Sequence, residues 1–327
     1  MTAQEIREKL KTKEYDFLRT NPLLGENIIL LTTGGSHAYG TNIETSDLDI
    51  RGCAIEQKKH LLTNSTFEQV MDNTTDTTVY SLKKLISLLS ACNPNVIEML
   101  GSKPEHYFHV SPAGQMLLDN RKLFLSKAAY RSFGGYASAQ LRRLDNKTAR
   151  TFSEKENEEH IAKRLNEMAE NLPFDFSVSE TEEGEKICIS GEVKNVPFRE
   201  FFADMSILNQ TVREYERNSK RNKHAEEHGK IAKHMMHLLR LYMMAIDILK
   251  DEEIITYRED EHDLLMSIRR GAFLDENEKP TKEFFGLVKE YEDRMQEAMD
   301  TSKLPEKPNH EKIQKLMMDM YETYVFA

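Results

Sequence analysis

A short apolar run that stops at a glycine pair is the feature that most constrains how this chain folds. Residues 27–33 read Asn-Ile-Ile-Leu-Leu-Thr-Thr and end at Gly34 and Gly35. Such a run is typical of a strand buried on both faces. A second stretch over 47–55 alternates polar and apolar side chains, and a third over 76–81 is rich in β-branched residues. We therefore expect a small sheet near the start of the chain.

Most of the remaining sequence favours helix. Glycine and proline are scarce, with 14 and 9 among 327 residues, and the pattern is helical over most of the chain from residue 111 onward. The exception lies at 174–197, where two alternating runs flank Glu182-Glu183-Gly184 and indicate a β-hairpin. These patterns predict an α+β protein, with a mixed-sheet domain over 1–110 and a mostly helical domain over 111–327 that carries the hairpin.

Charge and cysteine content exclude several classes of protein. The chain has 45 Lys and Arg against 55 Asp and Glu, a net charge of −10, so any polyanion must be met by a local basic patch. The cysteines are odd in number and widely separated, which argues against a disulfide framework; they are Cys53, Cys92 and Cys188. No apolar run reaches the roughly 20 residues that span a bilayer. We expect a cytoplasmic protein without a membrane partner.

The turn after the first strand is a candidate phosphate site. Gly34 and Gly35 are followed by Ser36. Backbone N–H groups of such a turn, together with the serine hydroxyl, can surround phosphate oxygens, and a helix that begins here adds its dipole. Gly-Gly-Ser is also a common plain turn, so the second half of the motif decides between these readings.

That second half is a pair of carboxylates. Asp47 and Asp49 stand two residues apart in the second predicted strand, so both side chains point to one face. Two like charges held close together are unfavourable unless a cation lies between them. Carboxylate oxygens are ligands that Mg²⁺ or Mn²⁺ prefers, which favours metal-dependent phosphoryl chemistry over a solvated acidic strand. Ser46 is placed to orient a carboxylate, and Arg51 lies on the same face.

These residues resemble a known family. Gly35-Ser36, a ten-residue interval and Asp47-x-Asp49 resemble the signature of the DNA polymerase beta-like nucleotidyltransferase superfamily. The longer pattern that ends at Gly52 resembles its branch of predicted nucleotidyltransferases, which includes RNA-ligase-associated members. Two later segments of that branch match residues 76–84 and 93–100.

The resemblance implies roles for these residues. Gly35 and Ser36 hold the triphosphate of ATP or another NTP, Asp47 and Asp49 bind Mg²⁺ or Mn²⁺, and a third carboxylate comes from a neighbouring strand. Asp76 is our choice for this third catalytic and metal-binding acid, because it opens the third β-like segment at the matching position.

Two other acids compete with Asp76 for that role, namely Asp72 and Glu98. Glu98 falls in a helical pattern among apolar neighbours, so we expect a structural hydrogen bond for it.

A helix predicted near 222–250 separates apolar from basic side chains. The apolar side carries Ile231, Met235, Leu238, Leu239, Tyr242, Met243, Ile246 and Leu249. The opposite arc, about 120° wide at helical spacing, carries Lys230, Lys233, His234, His237 and Arg240. We expect this arc, together with Ser46 and Arg51, to bind nucleotide, with the helical domain closing the nucleotide cleft. A solvated charged surface is the alternative.

Together these features predict a nucleotidyltransferase that moves a nucleoside monophosphate from an NTP to an acceptor hydroxyl and releases pyrophosphate. The acceptor is an RNA or tRNA end or a protein side chain, since the chemistry at the α-phosphate is the same. The alternative is a catalytically silent nucleotide-binding or toxin-neutralising module on the same fold. A third carboxylate beside Asp47 and Asp49 distinguishes the two hypotheses.

Overall fold

The computed structural model describes residues 1–149, 162, 165–166, 174–181, 184–191, 205–206, 209, 228–276 and 278–326. It shows an α+β protein, in which a five-stranded mixed sheet is followed by a mostly helical region with a two-stranded hairpin. The predicted fold class is confirmed. None of the helices among the described residues is long and apolar enough to cross a bilayer.

The sheet is built from strands separated by helices and turns. The strands are β1 Ile28–Thr33, β2 Ile50–Ala54, β3 Gln69–Asp72, β4 Thr77–Ser81 and β5 Tyr107–Val110. Their spatial order is β3-β4-β2-β1-β5. β2 and β4 run parallel, and the other neighbours are antiparallel. β1 lies near the centre, and all six of its residues are buried, as its apolar run predicts.

Helices account for most of the remaining described residues. Those of the first half are α1 Ala3–Lys9, α2 Phe17–Thr20, α3 Gly35–Tyr39, α4 Lys58–Leu62, α5 Leu82–Ser90, α6 Pro94–Ile97, α7 Pro112–Asp119 and α8 Ala128–Ala149. Those of the second half are α9 His228–Asp251, α10 His262–Arg269, α11 Lys282–Thr301 and α12 His310–Tyr324. Short 3₁₀ turns lie at Lys13–Tyr15, Gly25–Asn27, Glu98–Gly101, Pro104–His106 and Arg121–Phe124. Serine, threonine or asparagine side chains cap several of these helix starts.

The predicted hairpin is present. Strands β6 Phe174–Thr181 and β7 Gly184–Gly191 pair antiparallel, with Phe174 opposite Gly191 and Thr181 opposite Gly184. Residues 3–19 are rich in helix-forming side chains, but the segment is divided into α1 and α2. Arg19 explains the break, because its guanidinium donates to the carbonyls of residues 10–12 and stabilises a turn there.

Helix α9 is the centre of the helical region and packs against α8, α10 and α11. One hydrophobic cluster runs from the sheet, at Leu30 and Cys53, through Leu238 of α9 to Met320 of α12. The burial of apolar surface that drives folding therefore joins both halves of the chain. The boundary between residues 110 and 111 stays a prediction.

Candidate active site

The turn between β1 and α3 lies directly against Asp49. The backbone N–H of Gly34 donates to the Asp49 carbonyl at 2.9 Å. Gly35 has φ +57°, and a β-carbon at this position would overlap Oδ2 of Asp49. Only glycine adopts this conformation freely and leaves room for the carboxylate. The turn therefore brings Gly35 and the buried Ser36 next to Asp49.

Asp49 and Asp76 are neighbours because their strands are parallel. Ile50 of β2 pairs with Thr77 of β4, so the residues that precede them lie side by side. The Ile50 N–H donates to the Asp76 carbonyl at 3.2 Å. Arg51 bridges the two carboxylates, with Nη2 3.0 Å from Oδ1 of Asp49 and Nη1 3.3 Å from Oδ1 of Asp76. The structure thus places Asp76 beside Asp49.

This cluster carries more negative charge than Arg51 balances. Burial and the adjacent Asp76 carboxyl raise the pKa of Asp49 to about 6, against the lowering charges of Arg51 and Lys233. Two hard carboxylate donors with unrelieved repulsion fit a divalent cation by charge and by ligand type. Among the described residues, no group of three or more His, Cys, Asp or Glu side chains is placed to hold a metal ion.

Asp47 lies differently from the predicted strand geometry. β2 begins only at Ile50, so Asp47 and Asp49 belong to the extended segment before it. Asp47 is exposed and lines a cavity of about 600 Å³ that Asp76 also lines. Leu48 between the two acids is buried in the second hydrophobic cluster. The three predicted acids therefore lie at one edge of the sheet. Asp76 is close to both of the others, because Arg51 bridges it to Asp49 and it lines the same cavity as Asp47.

The competing acids have other contacts. Oδ1 of Asp72 accepts hydrogen bonds from the backbone N–H and the hydroxyl of Thr75, both at 2.9 Å. Asp72 therefore closes the turn between β3 and β4. Asp76 follows that turn with φ +44°, outside the strand that the sequence predicted it to open. Glu98 is buried and engaged with Arg240.

The basic arc of α9 divides into two parts. Lys233 is exposed, and its charge lowers the pKa of Asp49, so it lies on the side of the carboxylates. Nδ1 of His234 lies 2.8 Å from Oε1 of Gln140 and links α9 to α8. Lys230 belongs to α9, but its side chain lies outside the described residues, as does the predicted start of the helix over 222–227.

His237 and Arg240 correct the expectation of an open basic face. Arg240 is only 3% exposed, pairs with Glu98 at 3.2 Å and lies over the Tyr39 ring. The His237 ring contacts the edge of Tyr39, and burial together with nearby cations holds its pKa well below the usual value. A helical projection assumes one buried side, whereas α9 is packed on several sides. Arg240 is therefore not part of an open basic surface.

Ser46 is a turn residue in this structure. Its hydroxyl accepts a hydrogen bond from the Ile43 N–H at 2.9 Å, and its own N–H donates to the Ile43 carbonyl at 2.9 Å. These bonds close the loop that leads to Asp47, and the expected role of Ser46 in orienting a carboxylate stays a prediction.

The N-terminal part of the chain matches a family model. The model, described as the RNA repair pathway DNA polymerase beta family, matches residues 3–165. The match supports the polymerase beta-like nucleotidyltransferase superfamily for this part of the chain. Neither the comparison with curated proteins nor the comparison with solved structures found a match.

The match to this RNA repair polymerase beta family agrees with the superfamily that the sequence motif resembles. It indicates nucleotidyltransferase activity of the polymerase beta type, a nucleotide substrate and a function connected with RNA repair. The matched residues include the Gly35 turn, Asp49, Arg51 and Asp76.

The sequence motif contains one further residue beside the candidate site to which the sequence analysis assigned no role. Tyr39 ends α3, and its hydroxyl donates to both carboxylate oxygens of Glu98 at 2.9 Å. The available signal was its place in the motif, between Ser36 and Gly40.

Proposed function

We propose that this protein is a metal-dependent nucleotidyltransferase that transfers a nucleoside monophosphate from an NTP to an acceptor hydroxyl. The observation that carries the proposal is the position of Asp49, which lies against the Gly35 turn and is bridged by Arg51 to the neighbouring Asp76. This arrangement combines a phosphate-binding backbone with two hard anionic ligands at one point of the sheet.

Each residue has a role in this proposal. Mg²⁺ or Mn²⁺ would be held by Asp49 and Asp76, and Asp47 would become the third ligand only after its side chain moves, because the three acids do not form a ready metal site in the described residues. When bound, the ion would supply positive charge at the phosphates and lower the pKa of the attacking hydroxyl. The backbone of the Gly35 turn and the Ser36 hydroxyl bind triphosphate oxygens.

The basic residues act on the same phosphates. Arg51 lies between the two carboxylates in this structure, and its side chain lies against Gly34 of the turn, where a guanidinium can bind phosphate oxygens. Lys233 approaches from the helical side and balances negative charge there. His234 lies on the same arc, one residue further along.

The proposed transfer forms one bond to phosphorus and breaks another. The acceptor oxygen forms a bond to the α-phosphorus, the bond from that phosphorus to the bridging oxygen breaks, and pyrophosphate leaves with the electron pair. Of the two carboxylates that Arg51 bridges, Asp76 is the more exposed, with 57% of its side chain accessible against 20% for Asp49. We assign it the proton of the attacking hydroxyl.

The acceptor we favour is an RNA end, since the family is described by RNA repair. A protein hydroxyl is the competing acceptor. The test incubates the purified chain with each α-labelled NTP, Mg²⁺ and an RNA that ends in a free hydroxyl, and separately with a protein mixture. Labelled RNA supports the RNA acceptor, and labelled protein supports the competing one.

The control variants separate catalysis from general damage. Asp49→Asn removes a proposed ligand, whereas Glu68→Gln removes an exposed carboxylate that pairs with Lys84 outside the site. Labelling should disappear with Asp49→Asn and persist with Glu68→Gln. Equal labelling by the wild type and Asp49→Asn would contradict the proposed mechanism.

A catalytically silent nucleotide-binding module is the second candidate. The observation that favours it is the bridge made by Arg51, which already supplies positive charge between Asp49 and Asp76. Under this hypothesis calorimetry detects triphosphate binding, while no acceptor is labelled and no pyrophosphate is released.

A further inference from the structure

Three buried side chains connect α3 to α9. The Tyr39 hydroxyl donates to both oxygens of Glu98 at 2.9 Å, and Nη1 of Arg240 donates to Oε2 at 3.2 Å. The guanidinium of Arg240 lies 3.5 Å from the centre of the Tyr39 ring. The side chains of Glu98 and Arg240 are only 6% and 4% exposed. We call these three residues the Tyr39 network.

The hydrogen bonds of this network restrict how α3 and α9 can be placed relative to each other. A buried carboxylate is unfavourable unless donors surround it, and here Tyr39 and Arg240 supply them. A shift of α3 would separate the Tyr39 hydroxyl from Glu98 and leave the carboxylate under-satisfied. The network therefore holds α3 in one position relative to α9.

Helix α3 depends on outside contacts because it is short. Five residues form few internal hydrogen bonds, and an isolated helix of this length is unstable. Its internal bonds include the Ala38 N–H to the Gly34 carbonyl at 3.3 Å and the Gly40 N–H to the His37 carbonyl at 3.4 Å. Tyr39 is its last residue and lies one turn from Ser36. Fixing Tyr39 therefore fixes the end of the turn that we assign to the triphosphate.

The helical region also holds the residues next to the network. The Thr256 hydroxyl donates to the Glu98 carbonyl at 2.6 Å, and His262 Nε2 lies 2.9 Å from the Gly40 carbonyl. A β-carbon at Gly40 would overlap the Tyr257 ring. The C-terminal end of α3 is thus fitted against a segment more than 200 residues later in the chain.

We propose that Arg240 is a positioning residue for the triphosphate-binding turn, acting through Glu98 and Tyr39 to hold α3 against Asp49. Arg240 itself does not contact the nucleotide. The inference rests on the proposed function for the identity of the ligand, but the restraint on α3 exists in the free protein. The helical half then contributes to nucleotide binding from within the core as well as through Lys233.

A matched pair of variants tests this inference. Tyr39→Phe removes one hydroxyl from a buried tyrosine–glutamate contact and keeps the ring under Arg240. Tyr321→Phe removes the same group from another such contact, where the Tyr321 hydroxyl donates to Glu56 at 2.6 Å away from α3. Both variants should lose thermal stability, so a difference between them reports on α3.

Two measurements are made on the full chain. Hydrogen exchange of residues 36–41 in the free protein should become faster in Tyr39→Phe and stay at the wild-type rate in Tyr321→Phe. KM for the NTP, with an RNA acceptor, should rise about tenfold in Tyr39→Phe, a loss of about 1.4 kcal/mol of binding, with a much smaller change in kcat. Tyr321→Phe should leave KM unchanged.

Arg240 is tested by a charge-retaining variant and a neutral one. Arg240→Lys should keep much of the protection of residues 36–41, and Arg240→Met should lose it. Should Arg240→Met fail to fold, the tyrosine pair still decides the question. Unchanged exchange in Tyr39→Phe, or an equal increase in both tyrosine variants, would overturn the inference. A wild-type chain that binds no triphosphate would refute the proposed function and the KM result, while the exchange data would still decide whether the network holds α3.

Discussion

Two arginine–carboxylate clusters lie near α3 and differ mainly in their access to water. In the first, Arg51 bridges Asp49 and Asp76, whose side chains are 20% and 57% exposed. In the second, Arg240 pairs with Glu98, and both side chains are almost fully buried. The first cluster has more carboxylates than its arginine balances and is open to a ligand. The second has one carboxylate with sufficient donors and is closed, so solvent access and charge balance separate a reactive site from a structural one.

The largest expected effect belongs to the open cluster. Asp49→Asn should lower the rate of nucleotide transfer by about 10³-fold, equivalent to about 4 kcal/mol of barrier, because it removes a ligand for the charge-neutralising ion. The melting temperature should not fall, since the amide also removes repulsion with Asp76. Initial rates and thermal unfolding measure the two quantities. A melting temperature as low as that of Arg240→Met would contradict the comparison.

The same substitution in both clusters should separate their stabilities. Arg240→Met leaves Glu98 buried without its cation and should cost about 3–5 kcal/mol of unfolding free energy. Arg51→Met affects a more exposed bridge and should change it by no more than about 1 kcal/mol. Urea unfolding of both variants measures the difference. Equal losses would show that burial does not distinguish the clusters.

Two glycine-to-alanine substitutions test whether the contact between Gly35 and Asp49 requires glycine. Gly35→Ala introduces a β-carbon against Asp49 at a positive φ and should cost about 1–3 kcal/mol, with weaker binding of triphosphate. Gly286→Ala, in α11 with no heavy atom within 4 Å of its β-carbon, should instead stabilise the protein by about 1 kcal/mol. Chemical unfolding and a triphosphate titration measure both effects. If Gly35→Ala bound triphosphate with wild-type affinity, glycine would not be required at this position for binding.

The smallest expected effect is a pH dependence of the unfolding free energy, which arises from His237 beside the closed cluster. The pKa of His237 is lowered mainly by burial, so the unfolded chain binds more protons than the folded one below about pH 6.5. This contribution to stability is present above that pH and is lost on acidification, by at most about 1.4 kcal/mol per pH unit. Asp49 acts in the opposite direction, because its pKa is raised to about 6.

His237→Gln isolates the histidine contribution. Between pH 5 and 7, its unfolding free energy should decrease less on acidification than that of the wild type. Urea unfolding at several pH values gives the two slopes. Parallel slopes would show that His237 titrates in the folded chain as it does in the unfolded one.

Local pattern was sufficient for much of the fold. The apolar run before Gly34 predicts β1, the alternating runs around Glu182-Glu183-Gly184 predict the hairpin, and helical spacing predicts α9. Each of these signals depends on neighbours within one turn or one strand, which is why the sequence shows them. The first helix was less predictable, because Arg19 stabilises a break through backbone contacts that no periodicity records.

The candidate site was only partly predictable. The motif identifies Gly35, Asp47 and Asp49, but their contacts follow from β2 starting at Ile50 and from its parallel pairing with β4. The pairing brings Asp76 beside Asp49, although the turn before Asp76 gives it a left-handed backbone instead of a strand conformation.

By itself, the sequence determined the α+β class, the order of the motif and the residue types available for phosphate and metal chemistry. The tertiary structure decided which charges meet. Arg240 and Lys233 occupy the same predicted arc of one helix, yet one is buried against Glu98 and the other is exposed on the side of Asp49. The physical reason is that burial and electrostatic pairing depend on elements far apart in the chain, whereas sequence periodicity reports only the face of a single helix or strand.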